Sequence, residues 1–454
     1  MKTLHKEEQD QYEKMTTAPV AGLIMSLALP SIVTMLITSV YNLADTFFVG
    51  KIGTSATAAV GVVFSIPMIL NALGFLVGTG ASSLMSRMLG AKQQEEARRV
   101  TSTGFFLSFF FGFLVAVIGF AAGESLMTLL GATDTILPYA MAYGRYIFFG
   151  APFAASSLAL SQCLRGEGMS KQSMLGQVFG GVLNMVLDPL FIFVFELGIA
   201  GAAMATALSQ MIAWGILISF YLRRKTQVHI SIHSMSRTKE QYIQLFSNGF
   251  PSLSRHGCNM IANVVLNWVA GGWGDAAIAA MSVCSRLLYL SNAVSLGLGQ
   301  GAQPVFGYSH GAGNHRRVKE AFWFTAKAGV VSMCVFCVIG VIFAPGLIGL
   351  FRDDEEVIRI GSLAFRLICV AMPFASFVAN AGTMFQMIGR PLPSTLLILS
   401  RQLFFYVPAL MVLPRFMDLL GVQLAGPLAD VLVACMALPM VNRYFRSALG
   451  FKEE

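Results

Sequence analysis

The sequence predicts an all-α polytopic membrane protein with twelve transmembrane helices in two six-helix lobes, and three observations predict this class. Of its 454 residues, 56% are hydrophobic and only 12% are charged, which is too little charge for a water-soluble domain of this length. Apolar stretches long enough to cross a bilayer recur along the chain. The second half of the chain also repeats the first half at a constant offset of 221 residues.

The internal repeat is most visible at prolines and glycines. The matched pairs include Pro30/Pro251, Gly53/Gly274, Gly78/Gly299, Gly90/Gly311 and Pro152/Pro373. Because each half has six spans, both halves have the same orientation, and a pseudo-two-fold axis along the membrane normal is expected to relate the two lobes. A duplicated apolar scaffold of this kind is typical of a transporter.

The apolar stretches define the expected elements. In the first lobe, spans are predicted near 20–48, 57–86, 101–121, 136–164, 172–196 and 200–222. In the second lobe, they are predicted near 245–270, 277–308, 321–345, 356–388, 394–417 and 424–445. We therefore expect a cytoplasmic N-terminal segment at 1–19, an N-terminal lobe at 20–222, a cytoplasmic linker at 223–244, a C-terminal lobe at 245–446 and a cytoplasmic tail at 447–454.

The basic residues indicate the orientation. The net charge is +8, and most Lys and Arg residues fall in the loops that are cytoplasmic if the N-terminus is inside, as the positive-inside rule requires. The first residues are polar and lack the apolar core of a signal peptide. The sequence therefore predicts a multi-pass protein of the cell (inner) membrane, with both termini cytoplasmic, surrounded by lipid and not bound to nucleic acid.

Two acids break the repeat. Asp45 ends the first apolar run, and Asp188 lies in the fifth span, on the same helix face as Asn184. Thr206 comes early in the sixth span. Counting along each span places all four residues in the outer half of the membrane. The second lobe has Leu266, Phe405 and Ala409 at the positions that match Asp45, Asn184 and Asp188.

Placing an acidic side chain inside a membrane costs free energy, so such a residue indicates a functional site. Two carboxylates, an amide and a hydroxyl at one depth could bind a proton or Na⁺ through oxygen ligands. The alternative is structural: Asp45 would lie at the outer interface and pair with Lys51, Asp188 would satisfy a backbone break next to Pro189, and Thr206 would bond back to its own helix.

Other polar residues lie inside the predicted spans. Arg145 and Arg366 are repeat partners, and this symmetry favours a structural role such as bonding helix-end carbonyls. Arg286 has Ser65 as its repeat partner, so a substrate or counter-ion role is open. The remaining candidates are Asn71 and Tyr143, which could line a cavity of the first lobe, and Asp430, which is expected at the outer interface.

Several segments resemble the multidrug and toxic compound extrusion (MATE) family, specifically its bacterial DinF-like and MepA-like members. These segments are 42–50, 165–168, 184–189 and 198–206, and the resemblance extends over essentially the whole chain. It implies efflux of organic, often cationic, compounds in exchange for H⁺ or Na⁺ by alternating access. It also implies a cation-coupling site at Asp45, Asn184, Asp188 and Thr206, and a helix that bends at Pro30. The second lobe lacks the acids that the NorM-like branch uses there.

Two other functions are known for polytopic membrane proteins of this size. A flippase for lipid-linked oligosaccharides has the same architecture, and the basic residues Arg255, Arg286, Arg366 and Arg401 keep it open. An enzyme would need a convergent catalytic set, and the sequence contains none. It also lacks a phosphate-cradling G-x-x-x-x-G-K-[ST] motif. We expect no cofactor apart from the coupling ion, no bound metal other than a Na⁺ at the four-residue site, and a monomer that transports small organic substrates.

Overall fold

The computed structural model describes residues 2–236, 238–351 and 354–450. The first half forms α1 (Lys2–Thr17), α2 (Val20–Gly50), α3 (Thr54–Val63), α4 (Ser65–Gly90), α5 (Gln94–Leu129), α6 (Leu137–Gly166), α7 (Ser170–Pro189) and α8 (Gly198–Leu222). The second half forms α9 (Lys239–Ala270), α10 (Asp275–Gly311), α11 (His315–Gly349), α12 (Glu355–Met387), α13 (Pro391–Leu399), α14 (Val407–Val412) and α15 (Pro414–Gly450). Met1, Arg237 and residues 451–454 of the predicted terminal and linker segments lie outside the described residues.

Eleven helical stretches of the described residues are long and apolar enough to cross a membrane. The predicted span 245–270 also forms a long helix, α9, but it falls outside this set because polar residues such as Arg255, His256 and Asn259 interrupt it. The predicted span 394–417 ends early, at Val412. Pro414 begins α15 there, because the fixed φ of proline suits the first turn of a helix and its missing N–H is not needed.

The fifth membrane span of each half contains a π-helical segment. Leu190–Val194 follows α7, and Ser400–Tyr406 joins α13 to α14. In the first half, Pro189 has no N–H to offer the Met185 carbonyl, which favours a local change of helical pitch. Segments of this kind occur frequently at functional sites.

The chain divides into two compact units, Met1–Tyr12 with Val33–Leu253, and Glu13–Ile32 with Ser254–Glu454. The division of α2 falls just after Pro30, and the division of α9 falls at the matching repeat position just after Pro251. The units therefore differ from the predicted lobes 20–222 and 245–446 by the first part of these two helices. Each proline removes a helical hydrogen bond, so the two parts of one helix can pack in different units.

The fourth membrane span of each repeat, which is α6 in the first half and α12 in the second, is the centre of its unit. In the first unit α6 packs against α4, α5 and α8, and in the second α12 packs against α10, α11 and α15. Phe148 of α6 and Phe365 of α12 lie in the apolar cores. In each unit, three long helices are thereby held around one central helix.

Candidate functional site

Two glycines bring α7 close to α8. A Cβ added at Gly180 would lie 2.8 Å from the Ala213 side chain, and one at Gly176 would lie 2.5 Å from Leu217. Small residues spaced four apart let membrane helices approach in this way. As a result, the end of α7, which contains Asn184 and Asp188, lies beside the beginning of α8, which contains Thr206.

Asn184 links the two helices by hydrogen bonds. Its Nδ2 donates to Oδ1 of Asp188 at 3.2 Å and to Oγ1 of Thr206 at 3.4 Å. Asn184 is 4% exposed and Asp188 is fully buried. The spacing of four residues places the amide and the carboxyl on one face of α7.

A third contact brings α2 to the same place. A Cβ at Gly181 of α7 would lie 3.1 Å from the Tyr41 ring and 3.6 Å from Ile37. One turn beyond Tyr41, the Asp45 carboxyl interacts directly with that of Asp188. Oδ1 of Asp45 and Oδ2 of Asp188 are both buried, and within the described part of the chain neither has a hydrogen-bond donor.

Tyr143 of α6 completes the cluster. It is 5% exposed, its hydroxyl lies beside Thr206, and it is close to both carboxyl groups. The sequence left Tyr143 as a general cavity candidate, whereas the structure brings it together with the four residues that the acids first indicated. We call Asp45, Tyr143, Asn184, Asp188 and Thr206 the first-unit oxygen cluster.

The first-unit oxygen cluster has no basic partner among the described residues. Lys51, which the structural alternative paired with Asp45, instead lies over the Phe47 ring at 4.4 Å. No ion pair of the described residues includes Asp45 or Asp188. Two neighbouring carboxyl groups in an apolar interior cannot both remain charged and uncompensated. Chemically, the arrangement can hold a proton between them or a hard cation among their oxygens.

The other predicted candidates lie apart from this cluster. Asn71, Arg145 and Arg286 are exposed. Nε of Arg366 donates to the Val341 carbonyl at 3.1 Å, a contact to main chain but not at a helix end. Asp430, which the sequence placed at the outer interface, is 7% exposed and forms an ion pair with Arg401.

One buried acid was missed by the sequence reasoning. Glu167 lies between α6 and α7, outside the membrane-spanning helices, and is fully buried. Its Oε2 accepts a hydrogen bond from the Gln227 N–H at 3.0 Å, and its carbonyl oxygen accepts one from Gln11 at 3.1 Å. Burial raises the pKa of the Glu167 carboxyl to about 8. It fastens the polar linker to the helical bundle.

The comparison with known proteins matches this architecture. The profile of the MatE family matches residues 30–190 and 252–411, once in each repeat. The multidrug export protein MepA of Staphylococcus saprophyticus is 27% identical over 421 residues, which are 92% of each chain. The protein of the same name from Staphylococcus aureus strain MSSA476 is 26% identical over 441 residues, 96% of each chain.

Solved structures agree with both the fold and the family. An outward-facing multidrug resistance MATE family transporter of the MOP superfamily superposes with a TM-score of 0.92 at 26% identity, covering 96% of this chain and 98% of that one. The likeness confirms the predicted two-lobe, twelve-helix fold. Because the family profile covers most of the chain and repeats with it, the chain belongs to the MatE family, the multidrug and toxic compound extrusion transporters.

Proposed function

We propose that this protein exports structurally varied organic compounds across the cell membrane in exchange for H⁺ or Na⁺. The names of its relatives support multidrug export, and they favour export over the flipping of lipid-linked oligosaccharides. The distribution of basic residues supports an inner-membrane location with cytoplasmic termini. The protein needs no cofactor, because the ion gradient supplies the driving force.

A single observation supports the coupling site most strongly. The half-buried Asp45 and the buried Asp188 carboxyls interact with each other and have no basic partner among the described residues. A buried charge that lacks compensation is strongly unfavourable, so the pair is stable only with a bound proton or cation. The amide of Asn184 and the hydroxyls of Thr206 and Tyr143 supply further polar groups around it.

The proposed cycle follows from the charge of this pair. When the cation binds, the first-unit oxygen cluster is neutralised, and when it leaves toward the cytoplasm, the negative charge returns. α2 carries Asp45 and changes its unit just after Pro30, so the missing hydrogen bond at Pro30 gives this helix a place to bend. Cation binding favours the bent form and substrate release outside, which amounts to alternating access.

The experiment is ethidium efflux from proteoliposomes under imposed pH or Na⁺ gradients, tested separately. Asp188→Asn preserves the shape of the side chain but removes the charge, and we expect it to abolish gradient-driven efflux. Asp134→Asn makes the same chemical change at an exposed position outside the membrane helices, and it should keep wild-type efflux. Both variants should melt near the wild-type temperature in detergent. Gradient-driven efflux that is unchanged in Asp188→Asn would contradict the proposed site.

A further inference from the structure

The second unit contains its own charged cluster, at the π-helical segment Ser400–Tyr406. Nε of Arg401, in this segment, donates to Oδ1 of Asp430 at 2.5 Å. Gln402, the next residue, donates a hydrogen bond to Asn259 of α9. The segment therefore joins α9 and α15 through polar contacts in the middle of their lengths.

Arg255 adds a second positive charge to this cluster. It lies near the middle of α9, close enough to Arg401 for the two charges to repel each other. Among the described residues, no carboxylate forms an ion pair with Arg255, since Asp430 is taken by Arg401. Arg255, Arg401 and Asp430 together therefore have one positive charge in excess.

A row of asparagines follows Arg255 along α9. Asn259, Asn263 and Asn267 follow at four-residue intervals and are all exposed, so they lie on one face of the helix. A polar stripe on a membrane helix is expected to line an aqueous cavity and not to contact lipid. Arg255 precedes Asn259 by four residues and lies half-buried at the end of this stripe.

A second unsatisfied group lies next to Arg255. A Cβ added at Gly382 would be 3.6 Å from the Ser394 hydroxyl and 4.0 Å from Nη2 of Arg255. Ser394 is fully buried, and its hydroxyl has no hydrogen-bond partner in the described part of the chain. A charged donor and an unpaired hydroxyl thus both lie beside Gly382.

The repeat again provides an internal control. At the matching positions the first lobe has Thr34 for Arg255, Gly180 for Arg401 and Ser209 for Asp430. The charged cluster is therefore not part of the duplicated scaffold. The first lobe has acids where the second has none, and the second has arginines where the first has none.

We propose that the second lobe binds the acidic group of an organic anion, a carboxylate, sulfonate or phosphate, with Arg255 as its charge partner and Ser394 as a further donor. Asp430 compensates Arg401, which leaves Arg255 as the charge without a carboxylate partner among the described residues. Arginine suits this role because its planar fork matches the geometry of such groups. The inference rests on the proposed export function and deepens it by naming the part of the second lobe that recognises the acidic group of a substrate.

The test is direct binding of carboxyfluorescein to the purified full-length protein, measured by fluorescence anisotropy in uncharged detergent. Arg255→Gln should weaken binding about tenfold or more, because a hydrogen bond to a charged group is lost. Arg255→Lys should restore part of the affinity. Arg359→Gln removes an exposed arginine at the start of α12 and should bind as the wild type does.

Ethidium efflux from proteoliposomes, measured on the same preparations, separates this inference from the proposed function. Arg255→Gln should melt near the wild-type temperature in detergent, which shows that it is folded. If wild-type and Arg255→Gln proteins bind carboxyfluorescein equally, the anion site is wrong even when ethidium efflux is intact. If ethidium efflux is absent from the wild type, the proposed export function is wrong, whatever the result of the carboxyfluorescein measurement. Displacement of the dye by phosphatidylglycerol would assign the site to a lipid headgroup, and its failure to displace would assign it to soluble anions.

Discussion

The side-chain amide of Asn184 donates to the Asp188 carboxyl at 3.2 Å, and through the same nitrogen it reaches Thr206 at 3.4 Å. Asn184 thereby fixes the position of a carboxyl group that faces Asp45. These two hydrogen bonds join α7 to α8 at the level where α2 also approaches. We therefore expect the uncharged Asn184 amide to position the Asp188 carboxyl for coupling.

Replacing Asn184 with leucine tests this positioning role. The change keeps the size of the side chain but removes both hydrogen bonds, and a hydrogen bond to a charged group contributes about 1.5–3 kcal/mol. We expect gradient-driven ethidium efflux to fall about tenfold or more. Asn442→Leu, at an exposed position of α15, is the matched control. Wild-type efflux from Asn184→Leu would show that the amide does not position Asp188.

The close approach of α7 and α8 gives a stability prediction. At Gly180 an added methyl group would lie 2.8 Å from the Ala213 side chain and 3.3 Å from the Ser209 carbonyl, so Gly180→Ala should destabilise by about 1–3 kcal/mol through overpacking. At Gly215, on α8, an added Cβ meets nothing within 4 Å. Gly215→Ala should therefore be neutral or slightly stabilising. Melting in detergent checks both, and equal Tm values for the two variants would refute the close approach.

Glu167 predicts a pH dependence of stability. Its pKa is about 8 in the folded protein and 4.5 in its ordinary state, so between these values the folded state binds more protons than the unfolded state. The free energy of unfolding therefore falls as pH rises through this window, by at most about 1.4 kcal/mol per pH unit. Below the ordinary value the stabilisation is complete, and above about 8 it is lost.

Glu167→Gln removes this titration but keeps an oxygen that can accept the Gln227 hydrogen bond. Its Tm should fall less than the wild-type Tm when the pH rises from 6 to 9. Glu240→Gln, at an exposed position in the first turn of α9, should follow the wild type. Parallel curves for wild type and Glu167→Gln would mean that the buried carboxyl does not titrate in this window.

The Arg401–Asp430 ion pair predicts non-additive stability effects. Its side chains are 31% and 10% exposed, so water screens the pair in part. Removing Asp430 alone leaves Arg401 beside the repelling Arg255, whereas removing both members leaves no uncompensated charge. Asp430→Asn should therefore lower Tm more than the double variant Arg401→Gln/Asp430→Asn. Additive effects in this double-mutant cycle would exclude a direct interaction.

The helices and the first-unit oxygen cluster were predictable from the sequence for identifiable reasons. Membrane spans leave a strong apolar signal, and the constant offset aligned the two lobes without gaps. Asp45 and Asp188 stood out because Leu266 and Ala409 replace them in the second repeat. Their role in coupling stays a prediction, but their proximity follows from glycines that the sequence already displayed.

The second-unit cluster was not predictable in the same way. Arg401 and Asp430 lie on different helices, and no periodic pattern relates their positions. The π-helical segment that presents Arg401 depends on packing and not on a local sequence signal. Glu167 was missed because a charged residue between two helices is normally solvated, and only the folded linker buries it. The Arg401–Asp430 contact, the π-helical segment and the burial of Glu167 all depend on tertiary contacts.

Cation release on substrate binding tests the central claim most directly. Antiport requires the substrate and the cation to oppose each other's binding, and this coupling is reciprocal. Ethidium is added to purified protein in weakly buffered detergent solution, and released H⁺ is followed with an indicator dye and released Na⁺ with a sodium-selective probe. The wild type should release one of these ions, and Asp45→Asn/Asp188→Asn should release neither. Release by this double variant equal to that of the wild type would contradict a coupling site at Asp45 and Asp188.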